Sequence, residues 1–162
     1  MKKPQRHGVK GVKYRAWVGM KEFCIFLELL NQNHVMTEND IVTIILDAAF
    51  EVHRELGPGL LESIYEQCMI YELRERGIRV RNQVKLPVTY KEIEMEFGFR
   101  ADLIVEEKVI VEIKSAERMA DVHLAQTMTY LKVSDLKLGL LLNFNNVLLK
   151  DGIKRVINGT LS

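Results

Sequence analysis

One stretch decides the fold of this chain: Phe97-Gly98-Phe99-Arg100-Ala101-Asp102-Leu103-Ile104-Val105, followed ten residues after Asp102 by Glu112-Ile113-Lys114. Both segments have the composition of β-strands, where an acid or a lysine is out of place unless it has a function. Two carboxylates and an ammonium on one sheet face would bind a hard divalent cation and activate a water molecule beside it. The stretch therefore predicts a metal-dependent phosphodiesterase site on two neighbouring strands.

This chemistry requires a particular pairing of the two strands. Asp102 and Glu112 can share a site only if they lie opposite each other in an antiparallel pair, which puts Val105 opposite Val109. The connection would then be the three residues 106–108. A two-residue turn would put Asp102 on the wrong face unless a bulge intervened. The site therefore predicts the register.

Alternation of side chains also predicts which residues share a face. Glu112 and Lys114 lie on one face, and Val111 and Ile113 lie on the other. On the preceding strand, one face is predicted to carry Arg100, Asp102 and Ile104, and the other Phe99, Ala101 and Leu103.

The role of each residue follows from its charge. Asp102 and Glu112 would supply oxygen ligands to Mg²⁺ or Mn²⁺, with the Ile113 carbonyl as a further ligand. Lys114 would orient the attacking water or stabilise the developing negative charge. The simpler interpretation is that both acids are solvated and that Lys114 forms a surface salt bridge with them, because Glu-apolar-Lys is a common triplet.

Local signals place the remaining elements. Thr37-Glu38-Asn39-Asp40 offers capping residues for a helix with apolar residues at helical spacing up to Leu56, and Gly57-Pro58-Gly59 ends it. The other predicted elements are a helix over 60–76, strands over 78–90, 95–105 and 108–114, a helix over 116–132, a strand over 138–144, and a final hairpin that turns at 150–152 and ends near 157. Pro87 makes the first strand irregular or an edge strand. The order α-α-β-β-β-α-β-(β) predicts an α+β domain.

Two helices carry further candidate residues. Glu62 lies on the same side of its helix as the apolar Tyr65, so a metal or a cationic partner is plausible, as is a simple interaction with the helix dipole. Gln126 and Tyr130 lie one turn apart on the later helix, with His123 on the same side. This polar stripe could contact a phosphate or the lysine, or it could be an ordinary amphipathic face.

Composition bounds the class of protein. The 162 residues are 48% hydrophobic and 28% charged, which is typical of one globular domain without a membrane span. Cys24 and Cys68 have no partner motif, which favours reduced thiols in a cytoplasmic protein, and the four histidines lack zinc-ligand spacing. The net charge of +1 excludes a protein that binds nucleic acid through its overall positive charge alone.

The first 35 residues differ from the rest. They carry seven Lys or Arg and two acids, against 16 basic and 20 acidic residues over 36–162. Charged residues interrupt their apolar stretch and no small-residue cleavage site follows, which argues against a signal peptide. We predict a basic extension over 1–35, which is either a short helix or poorly ordered, and a nuclease-like domain over 36–162. The segment 1–21 could also tether nucleic acid.

The order of these motifs resembles the PD-(D/E)XK nuclease superfamily, in particular its RecB and lambda-exonuclease-like branch. The segments 56–65, 98–102 and 141–144 resemble the small GxxExxY protein family assigned to that superfamily. The resemblance covers about residues 40–157 and implies a restriction-endonuclease-like αβββαβ core, a mixed sheet flanked by helices. It also implies a site that comprises Glu62, Asp102, Glu112 and Lys114, supported by Gln126 and Tyr130. No proline precedes Asp102, in contrast to the superfamily name.

Two functions of different classes fit this sequence. The first is a Mg²⁺- or Mn²⁺-dependent nuclease that acts on DNA or RNA. The second is a catalytically inactive nucleic-acid-binding or protein-assembly module that retains the nuclease fold. The proline-bearing edge strand and the Leu138–Leu142 run could each support a homodimer.

Overall fold

The first helix begins where the sequence offers a capping box. In the computed structural model, which describes residues 35–161, helix α1 spans Glu38–Leu56. The Thr37 hydroxyl accepts a hydrogen bond from the Asp40 backbone N–H at 3.3 Å, and the Asp40 carboxylate accepts one from the Thr37 N–H at 2.9 Å. These bonds satisfy backbone donors that the first helical turn leaves unpaired. Helix α2 follows at Glu62–Glu75.

The strands form one mixed sheet of five. They are β1 (Val80–Tyr90), β2 (Ile93–Val105), β3 (Val109–Lys114), β4 (Leu138–Asn143) and β5 (Ile153–Ile157), in that spatial order. The β3–β4 pair is parallel and the other pairs are antiparallel. Helix α3 (Asp121–Ser134) connects the two parallel strands. The predicted α+β class and αβββαβ core are confirmed.

The helices cover both faces of the sheet. Helices α1 and α2 pack on one face, against Leu103, Val111, Ile113 and other buried residues of β2–β4. Helix α3 packs on the opposite face through Tyr130 and Leu131, against Ile104, Ile110 and Leu141. Because β3 and β4 are covered on both faces, their side chains are almost all buried, as in parallel sheets generally.

The sheet has an irregular edge, as Pro87 predicts. Strand β1 is the outer strand, and its register with β2 shifts between Leu86 and Val88, on either side of the proline. Proline cannot donate to a ladder, so it is tolerated at such a bulge. The predicted dimer role of Leu138–Leu142 is wrong, because β4 lies between β3 and β5 and is buried.

The start of α3 and the last turn are where the structure differs most from the predicted elements. Helix α3 begins at Asp121 and not at Ala116, because the Asn143 side chain forms hydrogen bonds with both the N–H and the carbonyl of Ala116. Asn143 accepts from the Ala116 N–H at 3.0 Å and donates to the Ala116 carbonyl at 2.8 Å. The predicted hairpin turn at 150–152 is wrong as well: these residues belong to a 3₁₀ turn, Leu149–Gly152, in a longer connection before β5.

The predicted extension, 1–35, lies outside the described residues except for Val35, so the division at residue 36 stays a prediction. From Met36 onward the described chain forms one compact unit. Within residues 35–161, no helix has the length and apolar composition that a bilayer span requires.

Candidate active site

Strands β2 and β3 pair in the register that the chemistry requires. Leu103 lies opposite Val111, and Val105 lies opposite Val109, with residues 106–108 as the connection. The Lys108 N–H closes the turn on the Val105 carbonyl at 3.0 Å. The predicted register is therefore confirmed, and Asp102 and Glu112 follow directly beyond the last pair of this ladder.

Where the β2–β3 ladder ends, the carboxylates of Asp102 and Glu112 accept hydrogen bonds from backbone N–H groups of the opposite strand. Glu112 Oε1 accepts from the Asp102 backbone N–H at 3.3 Å, and Asp102 Oδ2 accepts from the Ile113 N–H at 2.9 Å. Each carboxylate is thus anchored on the backbone of the opposite strand. We call Asp102 and Glu112 the acidic pair. This arrangement fixes both side chains, because rotating either one would leave a backbone donor unsatisfied.

The alternation of β2 breaks at Asp102. Phe99 and Ala101 pack in the α3-side core, whereas Leu103 packs in the core under α1 and α2. The prediction that these three residues share a face is therefore wrong. Opposite this position, the β1–β2 ladder omits the Gln83–Asp102 pair, and Gln83 has a left-handed φ of 51°. Each strand skips one residue between Asn82–Leu103 and Val84–Ala101, so the register is unchanged and the interruption is not a bulge.

Glu112 is buried beside Asp102 and Lys114. Its side chain is 3% exposed, and its Oε2 lies 3.2 Å from the Lys114 ammonium. Burial and the nearby Asp102 charge raise the pKa of Glu112 to about 7, although Lys114 acts in the opposite direction. The Glu112 carboxyl therefore resists ionisation unless more positive charge is brought to it.

This chemistry fits a divalent cation. A cation between the acidic pair would favour the ionised form of Glu112 and offset the Asp102 charge. Within residues 35–161, no group of three or more His, Cys, Asp or Glu side chains is arranged to hold a metal. Mg²⁺ does not require such a cage, since it is commonly held by one or two carboxylates and retains several waters.

Glu62 is tied to the end of β3 and not to the acidic pair. It is exposed on the first turn of α2, while Tyr65 of the same helix is fully buried. Glu62 Oε1 accepts from the Ser115 N–H at 3.0 Å, and the Ser115 hydroxyl donates to the Leu60 carbonyl at 2.6 Å. The expectation that Glu62 lies on an apolar side is wrong, because it precedes the part of the helix that packs on the sheet.

Tyr65 fixes the loop that carries Glu62. Its hydroxyl donates to the Gly57 carbonyl at 2.7 Å and accepts from the Leu60 N–H at 3.1 Å. Gly57 has a φ of 66°, which disfavours any residue with a Cβ. The Tyr65 ring stacks on Phe144 with centroids 4.4 Å apart, and the Phe144 N–H donates to the Lys114 carbonyl at 2.8 Å. The tyrosine thus links α2 to the end of β3.

Replacing Tyr65 by phenylalanine tests this link. The ring stack should survive, but the Leu60 donor and the Gly57 acceptor lose their partner. We expect the free energy of unfolding to fall by about 1–2 kcal/mol, the usual cost of such unpaired groups. Urea denaturation measures it, and Tyr71→Phe is the matched control because Tyr71 is 62% exposed. Equal stability of the two variants would contradict the role of the hydroxyl.

Gln126 and Tyr130 form a hydrogen-bonded unit beside the acidic pair. Gln126 Nε2 donates to the Tyr130 hydroxyl at 2.5 Å, and the Phe99 and Tyr130 ring centroids are 5.1 Å apart. Burial, and next the charge of Glu112, raise the pKa of the Tyr130 phenol, so it stays a neutral donor. His123 Nδ1 accepts from the Ala120 N–H at 3.3 Å and so caps α3. The predicted phosphate contact of this stripe stays a prediction.

Sequence reasoning missed two residues next to the acidic pair. Glu66 is buried on α2, and its carboxylate accepts from Gln83 Nε2 at 2.6 Å. The same nitrogen lies 3.5 Å from Asp102 Oδ1. Glu66 could have been noticed, because it lies one helical turn after Glu62 and faces the same way. No signal in the sequence marks Gln83.

Comparison with known proteins agrees with this geometry. Residues 39–156 match the family model of the PD-(D/E)XK nuclease superfamily, which covers more than half of the chain. The chain belongs to this superfamily. Its Asp102 and Glu112-Ile113-Lys114 follow the acid, acid and lysine order of the superfamily name, with Ala101 directly before the aspartate.

Other comparisons of this PD-(D/E)XK protein add less. It is similar to a solved structure, the crystal structure of SSO0001, with a TM-score of 0.47 and 17% sequence identity. The similarity covers 86% of this chain and 78% of that chain. The chain matches no curated protein.

Proposed function

We propose that this protein is a divalent-metal-dependent nuclease that hydrolyses phosphodiester bonds in DNA or RNA. The observation that carries the proposal is the acidic pair, anchored on backbone N–H groups where β2 and β3 cease to pair, with the Lys114 ammonium 3.2 Å from Glu112. Membership of the PD-(D/E)XK superfamily supports a nuclease and a nucleic-acid substrate.

The chain offers oxygen ligands for Mg²⁺ or Mn²⁺ at this place. Asp102 and Glu112 would hold the ion, with the Ile113 carbonyl and Glu62 as the further ligands that the superfamily resemblance implies. When bound, such an ion polarises a phosphoryl oxygen and lowers the pKa of a coordinated water. Asp102 Oδ2 accepts from the Ile113 N–H at 2.9 Å, whereas Oδ1 has only the long contact of 3.5 Å with Gln83, so Oδ1 is the oxygen better placed to bind a cation.

The remaining groups would act on the substrate and on water. Lys114 would orient the attacking water or stabilise negative charge on the phosphoryl group, because its ammonium is held in place by Glu112. The neutral Tyr130 phenol, oriented by Gln126, would donate a hydrogen bond near the same phosphate. These roles of Lys114 and Tyr130 require hydrogen-bond donors held in position and do not require a large basic surface.

We also propose that the protein is a member of the GxxExxY family and of the RecB and lambda-exonuclease-like branch. The residues that give the family its name act together here. Gly59 has a φ of 98°, Glu62 accepts from the Ser115 N–H, and the Tyr65 hydroxyl accepts from the N–H of Leu60, which lies between them. Because Gly59, Glu62 and Tyr65 act on one loop, we interpret them as the motif of this family and not as a chance match of three residues.

The direct test is cleavage of single- and double-stranded DNA and RNA by the purified full chain. We expect cleavage that requires millimolar Mg²⁺ or Mn²⁺ and stops when EDTA is added. Asp102→Asn protein, purified in parallel, controls for contaminating nucleases. Cleavage that persists in EDTA, or is equal for Asp102→Asn, would contradict the proposal.

One observation favours the catalytically inactive module. Glu62 bonds to Ser115 and not to the acidic pair, and residues 35–161 contain no group of three carboxylates around one point. Calorimetric titration with Mn²⁺ separates the two functions. Binding that Glu112→Ala abolishes favours the nuclease, whereas absence of binding at millimolar Mn²⁺ favours the module.

A further inference from the structure

Gln83 has a backbone conformation that its place in the fold does not explain. Within residues 35–161, five residues other than glycine have a positive φ. Lys91, Glu106 and Glu107 lie in turns and Asp135 ends α3, whereas Gln83 lies inside β1 with a φ of 51°. A glutamine in this region costs free energy, and such strain is commonly found at functional sites.

The strained conformation aims the Gln83 side chain between two carboxylates. Its amide nitrogen lies 2.6 Å from Glu66 Oε2 on α2 and 3.5 Å from Asp102 Oδ1 on β2. An amide NH₂ has two hydrogens, so one group can donate to both oxygens. Gln83 therefore connects a buried acid of the helix with the acidic pair.

Glu66 is suited to anchor this amide. It is buried, and the short bond from Gln83 satisfies its carboxylate. A buried carboxylate without a donor would be costly, so the Glu66 carboxylate holds the Gln83 amide in one orientation. The orientation leaves the second hydrogen of the amide facing Asp102.

We propose that Gln83 is a positioning residue for Asp102, anchored by Glu66; this inference rests on the proposed metal-dependent nuclease function. The Ile113 N–H donates to one oxygen of Asp102 at 2.9 Å and the Gln83 amide lies 3.5 Å from the other, so the two contacts together oppose rotation of the carboxylate plane. Residues that hydrogen-bond to a metal-binding carboxylate, without contacting the metal, commonly matter for binding and catalysis. Their removal lowers metal affinity or activity by about 10–100-fold.

Two substitutions separate positioning from a structural role. Gln83→Leu removes the amide and keeps the strain, whereas Gln83→Gly removes both, because glycine accepts a positive φ. The matched control is Gln67→Leu, since Gln67 is exposed on α2. For each full-length protein, Mn²⁺ affinity is measured by calorimetry, kcat and KM by cleavage, and Tm by thermal denaturation.

We expect both Gln83 variants to bind Mn²⁺ about 10-fold or more weakly and to lower kcat, with KM for nucleic acid unchanged. Gln83→Gly should have a Tm at or above that of Gln83→Leu. Glu66→Leu, which removes the acceptor of the Gln83 amide, should act in the same direction, and combining it with Gln83→Leu should add little, because both changes break one connection.

Different results overturn different claims. If the wild type binds Mn²⁺ and cleaves nucleic acid, and Gln83→Gly does both equally well, the positioning role is wrong and the nuclease stands. A lower Tm of Gln83→Leu with unchanged Mn²⁺ affinity would also contradict the proposal that Gln83 positions Asp102. If the wild type neither binds Mn²⁺ nor cleaves, the proposed function is wrong and this inference falls with it.

Discussion

Asp102→Asn is expected to lower the rate of cleavage by roughly 10²–10³-fold, the loss typical when one preorganised electrostatic group is removed from an active site. Asparagine has the same shape, and its side-chain oxygen can still accept the hydrogen bond from Ile113. The lost feature is the negative charge that would hold a divalent cation beside Glu112.

The measurement is the initial rate at saturating Mn²⁺ and saturating nucleic acid, together with the Tm of each protein. Asp47→Asn is the matched control, because Asp47 is exposed on α1. We expect the Tm of Asp102→Asn to stay close to that of the wild type. A rate within about threefold of the wild type would contradict the role of Asp102, since the expected loss is at least about 100-fold.

The second large effect is a dependence of stability on pH that originates at Glu112. Burial and the Asp102 charge raise the pKa of its carboxyl from 4.5 to about 7 in the folded protein. The folded state then holds a proton that the unfolded state releases at lower pH. The stabilisation is complete below pH 4.5, is lost as the pH rises through 7, and corresponds to about 3 kcal/mol.

Comparing the wild type with Glu112→Gln isolates this contribution. Glutamine mimics the protonated carboxyl and does not titrate, so the stability of the wild type relative to the variant should fall between about pH 4.5 and pH 7 and then level off. Urea denaturation in metal-free buffer measures it, with Glu75→Gln as the exposed control. A constant difference across this range would contradict the raised pKa.

Much of the fold follows from local patterns and from the requirements of the site. Helical spacing and capping residues place α1, and alternation places the strands. The register of β2 with β3 is a stronger inference, because only one register brings Asp102 opposite Glu112. The three-residue connection that this register needs is present in the structure.

The features that the sequence does not reveal depend on distant residues. The start of α3 is set by Asn143, which binds Ala116 from 27 residues further along the chain. The broken alternation at Asp102 lies opposite a left-handed Gln83, and glutamine carries no preference that would predict this conformation. A prediction from strand alternation assumes a regular ladder, and the β1–β2 ladder is irregular at Asp102, the residue on which the proposed site depends.

The measurement that tests the central claim most directly is a crystal structure of the full chain soaked in Mn²⁺. We expect one anomalous peak between the acidic pair, about 2.1–2.2 Å from a carboxylate oxygen of both Asp102 and Glu112, with the Lys114 ammonium on the same side. A peak elsewhere, or the absence of a peak with the two carboxylates turned apart, would contradict a metal site at this junction of β2 and β3.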